Sequence, residues 1–384
     1  MLDFKPSYPL SYDRTESDFV KEIVKDVLQK LNFRPQYEIK GLVGIENSYK
    51  QIESILNIES NEVRVLGIWG MGGIGKTTLA EALSNKLYSK FEGRCFLNGM
   101  DESNKHGRCF STLLKEAPSS VTRIARKKVF IVFDGVETLE QIEDLIPKID
   151  GLGPGSRVII TTRDKRIFSK VSKCEIYEVK ELNKHDSLQL FSLTAFGDKY
   201  PKFGYEDLLE SVITYCQGNP LALKVLGANL SSRGKEEWEN ELKKLQKIPN
   251  MKIHNVLKLS YDGLDCCQKA IFLDIACFLR GESKDFVTDL LEACEFFAIS
   301  GIEVLLDKSL IQLKLIWHAK SEVDGIEMQD LLQEMGREIV NQESKDPGKR
   351  SRLWKAEEIS DVLKKNKVCR QMELLLYENT CFWL

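Results

Sequence analysis

The chain has 384 residues, 55 Lys and Arg against 58 Asp and Glu for a formal net charge of −3, and 42% hydrophobic residues. These values describe a globular protein of roughly two or three domains and exclude global attraction to nucleic acid or anionic membrane. No apolar run approaches the length of a membrane span, and the start, MLDFKPSYPLSYDRT, lacks a basic segment followed by an apolar core. The reading therefore predicts a cytoplasmic protein, with the nucleus as the other compartment open to it. Ten cysteines, with Cys266 and Cys267 adjacent and none in CxxC or Cys/His metal spacing, suit a reducing compartment. Most are expected to be small buried apolar residues, and no metal is expected beyond nucleotide-bound Mg²⁺.

In chain order, residues 1–37 read as a polar tail running into one amphipathic helix. Phe19, Val20, Ile23, Val24, Val27, Leu28 and Leu31 share its apolar face. From 38 to 172, strand and helix patterns alternate, which predicts an α/β domain with a parallel sheet and helices on both faces. Within it, the apolar run Val63 to Trp69 leads into GMGGIGKTT, Gly70 to Thr78, and Leu79, Ala82, Leu83 and Leu87 then fall at helical spacing. Strand, glycine-rich loop and helix in that order make a P-loop. Gly70, Gly72, Gly73 and Gly75 let backbone N–H groups face phosphate oxygens, with the positive end of the helix behind them. Lys76 is expected to reach the β- and γ-phosphates, Thr77 to hold Mg²⁺, and Thr78 to bond an α-phosphate oxygen.

Val129 to Phe133 is a second buried strand, ending at Asp134. An acid at that point is where a P-loop protein holds Mg²⁺ through water. Asp134-Gly135 also suits a hairpin turn, but Leu139, Ile142 and Leu145 repeat with helical spacing, which argues against a hairpin. A third strand, Arg157 to Thr162, delivers Arg163 to the ligand-binding edge of the sheet.

Residues 173–256 show helical periodicity, interrupted by GNPLAL at Gly218 to Leu223, where Pro220 suits the first turn of a helix. Residues 257–345 read as helices with Leu310 to Ile316 as a strand-like insertion, the pattern of a winged helix. That segment has 17 Asp and Glu against 8 Lys and Arg from Ser260 to Lys345, so DNA binding is not expected. Residues 346–384 carry Lys349, Arg350, Arg352, Lys364, Lys365 and Lys367 and read as a solvated basic tail.

This order of elements resembles the NB-ARC switch domain of plant intracellular immune receptors, in the subclass that carries an N-terminal TIR domain. The resemblance rests on LVGIE at Leu42 to Glu46, GMGGIGKTT, GPGSRVIITTRD at Gly153 to Asp164, YEVKEL at Tyr177 to Leu182, GNPLAL, and FLDIACF at Phe272 to Phe278. It implies ADP or ATP with Mg²⁺ as cofactors: Val43 beside the adenine, Lys76 and Thr77 on phosphate and metal, Asp134 as the Walker B acid. It also implies Arg163 as the γ-phosphate sensor, Pro220 packed on the base, and Gln329 where the family has the His of Met-His-Asp. Expected partners are full-length receptors of the same type, or further copies of the chain in the ATP state. The TIR and leucine-rich parts of such receptors lie outside the resemblance. The family's acid pair reads Asp134-Gly135 here, so ATP hydrolysis is expected to be slow or absent. A turnover ATPase and a winged-helix nucleic-acid binder are the competing functions.

Overall fold

The structure, a computed structural model, describes residues 42–98, 127–245, 248–318 and 321–365. The chain divides into Met1–Lys40 and Gly41–Leu384, and everything described belongs to the second unit. The amphipathic helix expected before residue 37 and the terminal residues after 365 lie outside the described residues.

The sheet domain begins with α1 (Ile45–Leu56), followed by β1 (Arg64–Trp69), α2 (Lys76–Leu87), β2 (Gly93–Asn98), β3 (Val129–Asp134), α3 (Leu139–Asp150), β4 (Arg157–Thr162) and β5 (Cys174–Glu178). All strands run parallel in the order β2-β3-β4-β1-β5. Strand alternation sorts their side chains onto two faces. Phe130, Val132 and Ile159 pack with Ile52, Leu79 and Leu83 of α1 and α2. Ile131, Phe133 and Ile160 pack with Ile142, Leu145 and Ile149 of α3. The expected α/β architecture with helices on both faces is therefore present. Thr138 starts α3 with a capping box shared with Gln141, so the chain enters a helix after Asp134 and no hairpin forms there.

The sheet runs past residue 172, where alternation ends in the sequence. β5 is an edge strand whose side chains are partly or fully exposed, so it has no apolar run to announce it. At the opposite strand ends, Arg157 is fully buried and donates to the carbonyls of Leu56, Glu62 and Gly155 at 2.6, 2.8 and 2.8 Å, tying the α1–β1 connection to β4.

A helical unit follows, with α4 (Lys184–Phe196), α5 (Glu206–Cys216), α6 (Pro220–Leu230), α7 (Lys235–Leu245) and α8 (Met251–Asp262). Trp238 anchors it, fully buried against Phe191 and Phe196. The third unit has α9 (Cys266–Asp274), a π-helical turn Ile275–Leu279, α10 (Lys284–Ala293), α11 (Ala298–Asp307), the antiparallel hairpin β6 (Gln312–His318) and β7 (Ser321–Glu327), and α12 (Asp330–Glu343). Four helices, with a two-stranded wing between the third and the fourth, make a winged helix. The wing starts two residues later than the apolar run beginning at Leu310, and its polar second strand is invisible to hydropathy.

After residue 346 the solvated-tail reading needs correction. α13 (Ala356–Lys364) buries Ile359 and Val362 with Leu353, and Arg352 is 6% exposed, its Nε bonded to Asp274 Oδ1 at 2.5 Å. A buried guanidinium is tolerated because a carboxylate meets it, and that partner lies too far back in the chain to be foreseen. The cysteine expectation also fails in part: of the described ones, Cys95, Cys216 and Cys277 are buried, but Cys266 and Cys294 are exposed.

Candidate functional site

The P-loop leaves β1 at Gly70, and its backbone takes the left-handed region at Gly73, φ 76°. A Cβ there would sit 2.7 Å from Leu221 Cβ, so glycine is required by conformation and by contact alike. Lys76, the first residue of α2, folds back to donate to the carbonyls of Gly70 and Met71 at 2.7 and 2.8 Å. Enclosure of its ammonium, with Arg163 nearby, lowers its pKa from 10.5 to about 7, against the opposing pull of Asp134 and Glu137. The loop thus holds a cation whose charge is costly until an anion joins it.

Thr77 donates to both carboxylate oxygens of Asp134 at 2.9 Å. Asp134 is buried and also accepts from Thr161 Oγ1 at 2.6 Å, while Thr161 accepts from Gly135 N at 2.9 Å. Thr161 is thus a positioning residue that sequence reading passed over. Glu81 on α2 is held above the usual carboxylate range, first by burial and then by the charge of Asp134. A hydroxyl and a carboxylate side by side form the hard oxygen donor set that Mg²⁺ prefers. Thr78 lies part-buried on the same turn of α2.

The helical unit closes over the loop. Gly218 bonds backbone to backbone with Leu182, and a Cβ at Gly218 would lie 2.3 Å from the Leu182 carbonyl. Asn219, fully buried, caps α6 by accepting from Leu221 N and Ala222 N at 3.0 and 3.2 Å, and donates to the Gly72 carbonyl at 3.3 Å. Leu221 N donates to the Gly73 carbonyl at 3.2 Å, and Pro220 Cγ lies 3.9 Å from where a Gly75 Cβ would be. Asn219 therefore joins loop and roof. Pro220 marked the start of this helix in the sequence, but nothing local signalled the bond from Asn219 to the P-loop. Val43 is buried in the same core as Met71 and Ile74.

Arg163 donates to the Val256 carbonyl at 3.4 Å and faces Glu137 at 3.7 Å. The same Val256 carbonyl lies 3.2 Å from where a Gly72 Cβ would be, so Arg163 and the P-loop share one neighbour. Gln329 is placed elsewhere. It precedes α12 and donates its Nε2 to Glu181, which also accepts from Gln312 Nε2 at 3.3 Å. Glu181 belongs to the segment leaving β5, whose Val179 N donates to Trp69 O at 2.8 Å and whose Val179 carbonyl would sit 3.2 Å from a Gly70 Cβ. Gln329 reaches the P-loop through that segment, beside a cavity of about 340 Å³ that Arg280 and Lys314 also line.

One other group among the described residues has metal-ligand reach. Asp265, Cys266 and Cys267 have ligand atoms within 4.8 Å of one another at the start of α9, but Asp265 already caps that helix. Among the described residues, no helix is long and apolar enough to cross a membrane.

Comparison with known proteins agrees with this geometry. The NB-ARC domain family matches residues 45–200, and the winged-helix domain of Roq1-like disease resistance proteins matches residues 265–344. TMV resistance protein N of Nicotiana glutinosa is 40% identical over 386 residues, covering 94% of this chain and 33% of that protein. Disease resistance protein RUN1 of Vitis rotundifolia is 40% identical over 388 residues, covering 96% and 28%. The chain thus spans about a third of the length of these relatives. Among solved structures, Cdc6p from Pyrobaculum aerophilum aligns with 80% of this chain at 14% identity and a TM-score of 0.41, a likeness too loose to bear functional weight. The chain thus carries an NB-ARC domain followed by a Roq1-like winged-helix domain, which places it with these plant disease-resistance proteins over the part of them that it spans.

Proposed function

We propose that the chain is an ADP/ATP switch of plant immune signalling, in which bound nucleotide decides how tightly the helical and winged-helix units sit on the sheet. The observation that carries this reading is the pairing of the P-loop with its roof. Asn219 and Leu221 bond the carbonyls of Gly72 and Gly73, so the loop that takes phosphate is also a hinge contact of the next unit. A nucleotide can bias two conformations only by binding them unequally, and a site built from both partners meets that condition.

Lys76 would take the β- and γ-phosphates, where an anion restores the charge that burial suppresses. Thr77 and Asp134 would hold Mg²⁺, which supplies charge neutralisation between phosphate oxygens. Val43 and Pro220 would flank the adenine, and Thr78 the α-phosphate. Arg163 would detect a γ-phosphate by leaving Val256 and Glu137 for it. Gln329 would act on the nucleotide side of the winged helix through Glu181. Exchange of ADP for ATP would free the roof for assembly with further copies or with full-length receptors, in the cytosol or nucleus.

Slow hydrolysis fits the same geometry. Gly135 offers no side chain to orient a water, and Glu137 faces Arg163. Nucleic-acid binding by the winged helix is disfavoured by its acidic surface, on which Glu322 and Asp324 of the wing are exposed.

The reading is tested by thermal melting with ADP. At about 100 times Kd, ADP is expected to add ~2.7 kcal/mol of stability to the wild type. Lys76→Ala removes a charge-assisted contact of about 1.5–3 kcal/mol and is expected to need about ten to a hundred times more ADP for the same shift. An unchanged melting temperature would show the pocket to be wrongly assigned.

A further inference from the structure

The C-terminus of α11 rests on two strand ends, each one residue from the nucleotide site. Trp69, the residue before Gly70, donates its indole N–H to the Asp307 carbonyl at 2.8 Å. Asp164, the residue after Arg163, faces Lys308 Nζ at 3.1 Å, with side chains 9% and 14% exposed. The carboxylate also receives Arg166 Nε and Nη2 at 2.9 and 2.5 Å and caps the turn that follows β4 through Arg166 N at 3.1 Å. Asp164 thus shares its carboxylate between Arg166 of its own segment and Lys308, which reaches it from the end of α11. Among the described residues, Asp307, Lys165 and Glu303 are further charged groups nearby.

We propose that Asp164–Lys308 is the latch that holds the winged-helix unit on the carboxyl edge of the sheet, and that ATP releases it through the adjoining Arg163. This rests on the reading of Arg163 as the group that meets a γ-phosphate. Arg163 and Asp164 are consecutive, and Asp164 N donates to Thr162 Oγ1 at 3.0 Å, so a backbone shift that accompanies Arg163 leaving the Val256 carbonyl for phosphate would draw the Asp164 carboxylate off Lys308. With ADP, Arg163 keeps its present partners and the latch stays shut. A poorly solvated ion pair that loses its alignment no longer offsets its own desolvation, so a small shift is enough to open the contact.

The test is hydrogen exchange of the 304–310 and 162–168 segments in the full chain, without nucleotide and with ADP or Mg·ATP. Lys308→Met is expected to exchange about tenfold faster in both segments with β3 unchanged, and Lys308→Arg is expected to restore protection. If β3 also accelerates, the change is global, and Trp69→Phe, which removes the indole donor while keeping an aromatic ring, is read instead with the same expectation. Wild-type exchange in both segments is expected to rise with Mg·ATP but not with ADP, and Arg163→Ala to abolish that difference. Wild-type protection retained in Lys308→Met overturns the latch. Equal exchange with the two nucleotides, when both raise the melting temperature, overturns its control by ATP. If neither nucleotide raises the melting temperature, the nucleotide reading fails, while the Lys308 variants still decide the latch.

Discussion

Thr77 places its hydroxyl 2.9 Å from both carboxylate oxygens of Asp134, so the first turn of α2 and the end of β3 meet at one point. If Mg²⁺ binds there, Asp134→Asn keeps the shape but loses the charge. Affinity for Mg·ATP is expected to fall about tenfold or more, while metal-free ADP binding changes little. Titration of a fluorescent ATP analogue with Mg²⁺ or with a chelator reads the difference, and a variant equally responsive to Mg²⁺ would remove Asp134 from the metal site.

Lys76 gives the site a pH signature. Its pKa is about 7 in the protein against 10.5 in the unfolded chain, so the unfolded chain binds the proton more readily. Stability of the nucleotide-free protein therefore rises through this group as pH goes from about 7 toward 10.5. Phosphate favours the charged form, so nucleotide binding between about pH 7 and 9 takes up a proton. Affinity is expected to fall as pH rises, approaching about tenfold per pH unit. Calorimetry at pH 8 in two buffers of different ionisation heat should show uptake of about one proton by the wild type and none by Lys76→Met. Absence of uptake in the wild type would mean that Lys76 does not meet the phosphate.

The P-loop was readable because its requirements are local: glycines, a lysine and a hydroxyl on consecutive residues between an apolar strand and a helix. The positions of Asp134 and Arg163 were readable because one ends a buried strand and the other directly follows one. Thr161, Asn219 and Glu181 were not, since each matters through a bond to a residue far along the chain. Hydropathy also missed β5 and β7, whose exposed edges carry no apolar pattern. Arg352 was misread for the reverse reason, because a buried arginine looks like a solvated one until its carboxylate partner is in view.

Gly218 should tolerate no substitution. Its φ is 74°, and an added Cβ would meet the Leu182 carbonyl at 2.3 Å, in backbone that cannot swing aside. Gly218→Ala is expected to cost about 2–3 kcal/mol from left-handed strain and overlap. Denaturant unfolding measures the loss, and a change below about 0.5 kcal/mol would mean that the roof is not clamped at this point.

Gly135 is different, since a Cβ there meets nothing within 4 Å. Its φ of 73° is a region that aspartate visits more readily than most residues. Gly135→Asp is therefore expected to fold and to supply the acid that orients water. Single-turnover phosphate release should rise about 10²–10⁴-fold at saturating Mg·ATP. Equal rates for the two proteins would show that this acid is dispensable.

Gln329 and Gln312 share the Glu181 carboxylate, so the winged helix hangs on the segment that leaves β5. A histidine at 329 can carry a positive charge and bond either that carboxylate or a phosphate more strongly than an amide. Gln329→His is expected to slow ADP release several-fold, measured by chase of a fluorescent ADP. Unchanged release would mean that residue 329 does not bear on the nucleotide.

The most direct measurement is the nucleotide released when purified protein is denatured. A site enclosed by the P-loop, Asn219, Leu221 and Val256 should keep its ligand through purification, so about one ADP per chain is expected from the wild type and far less from Lys76→Ala. No adenine nucleotide in the wild type, or the same amount in Lys76→Ala, would contradict a switch operated from this pocket.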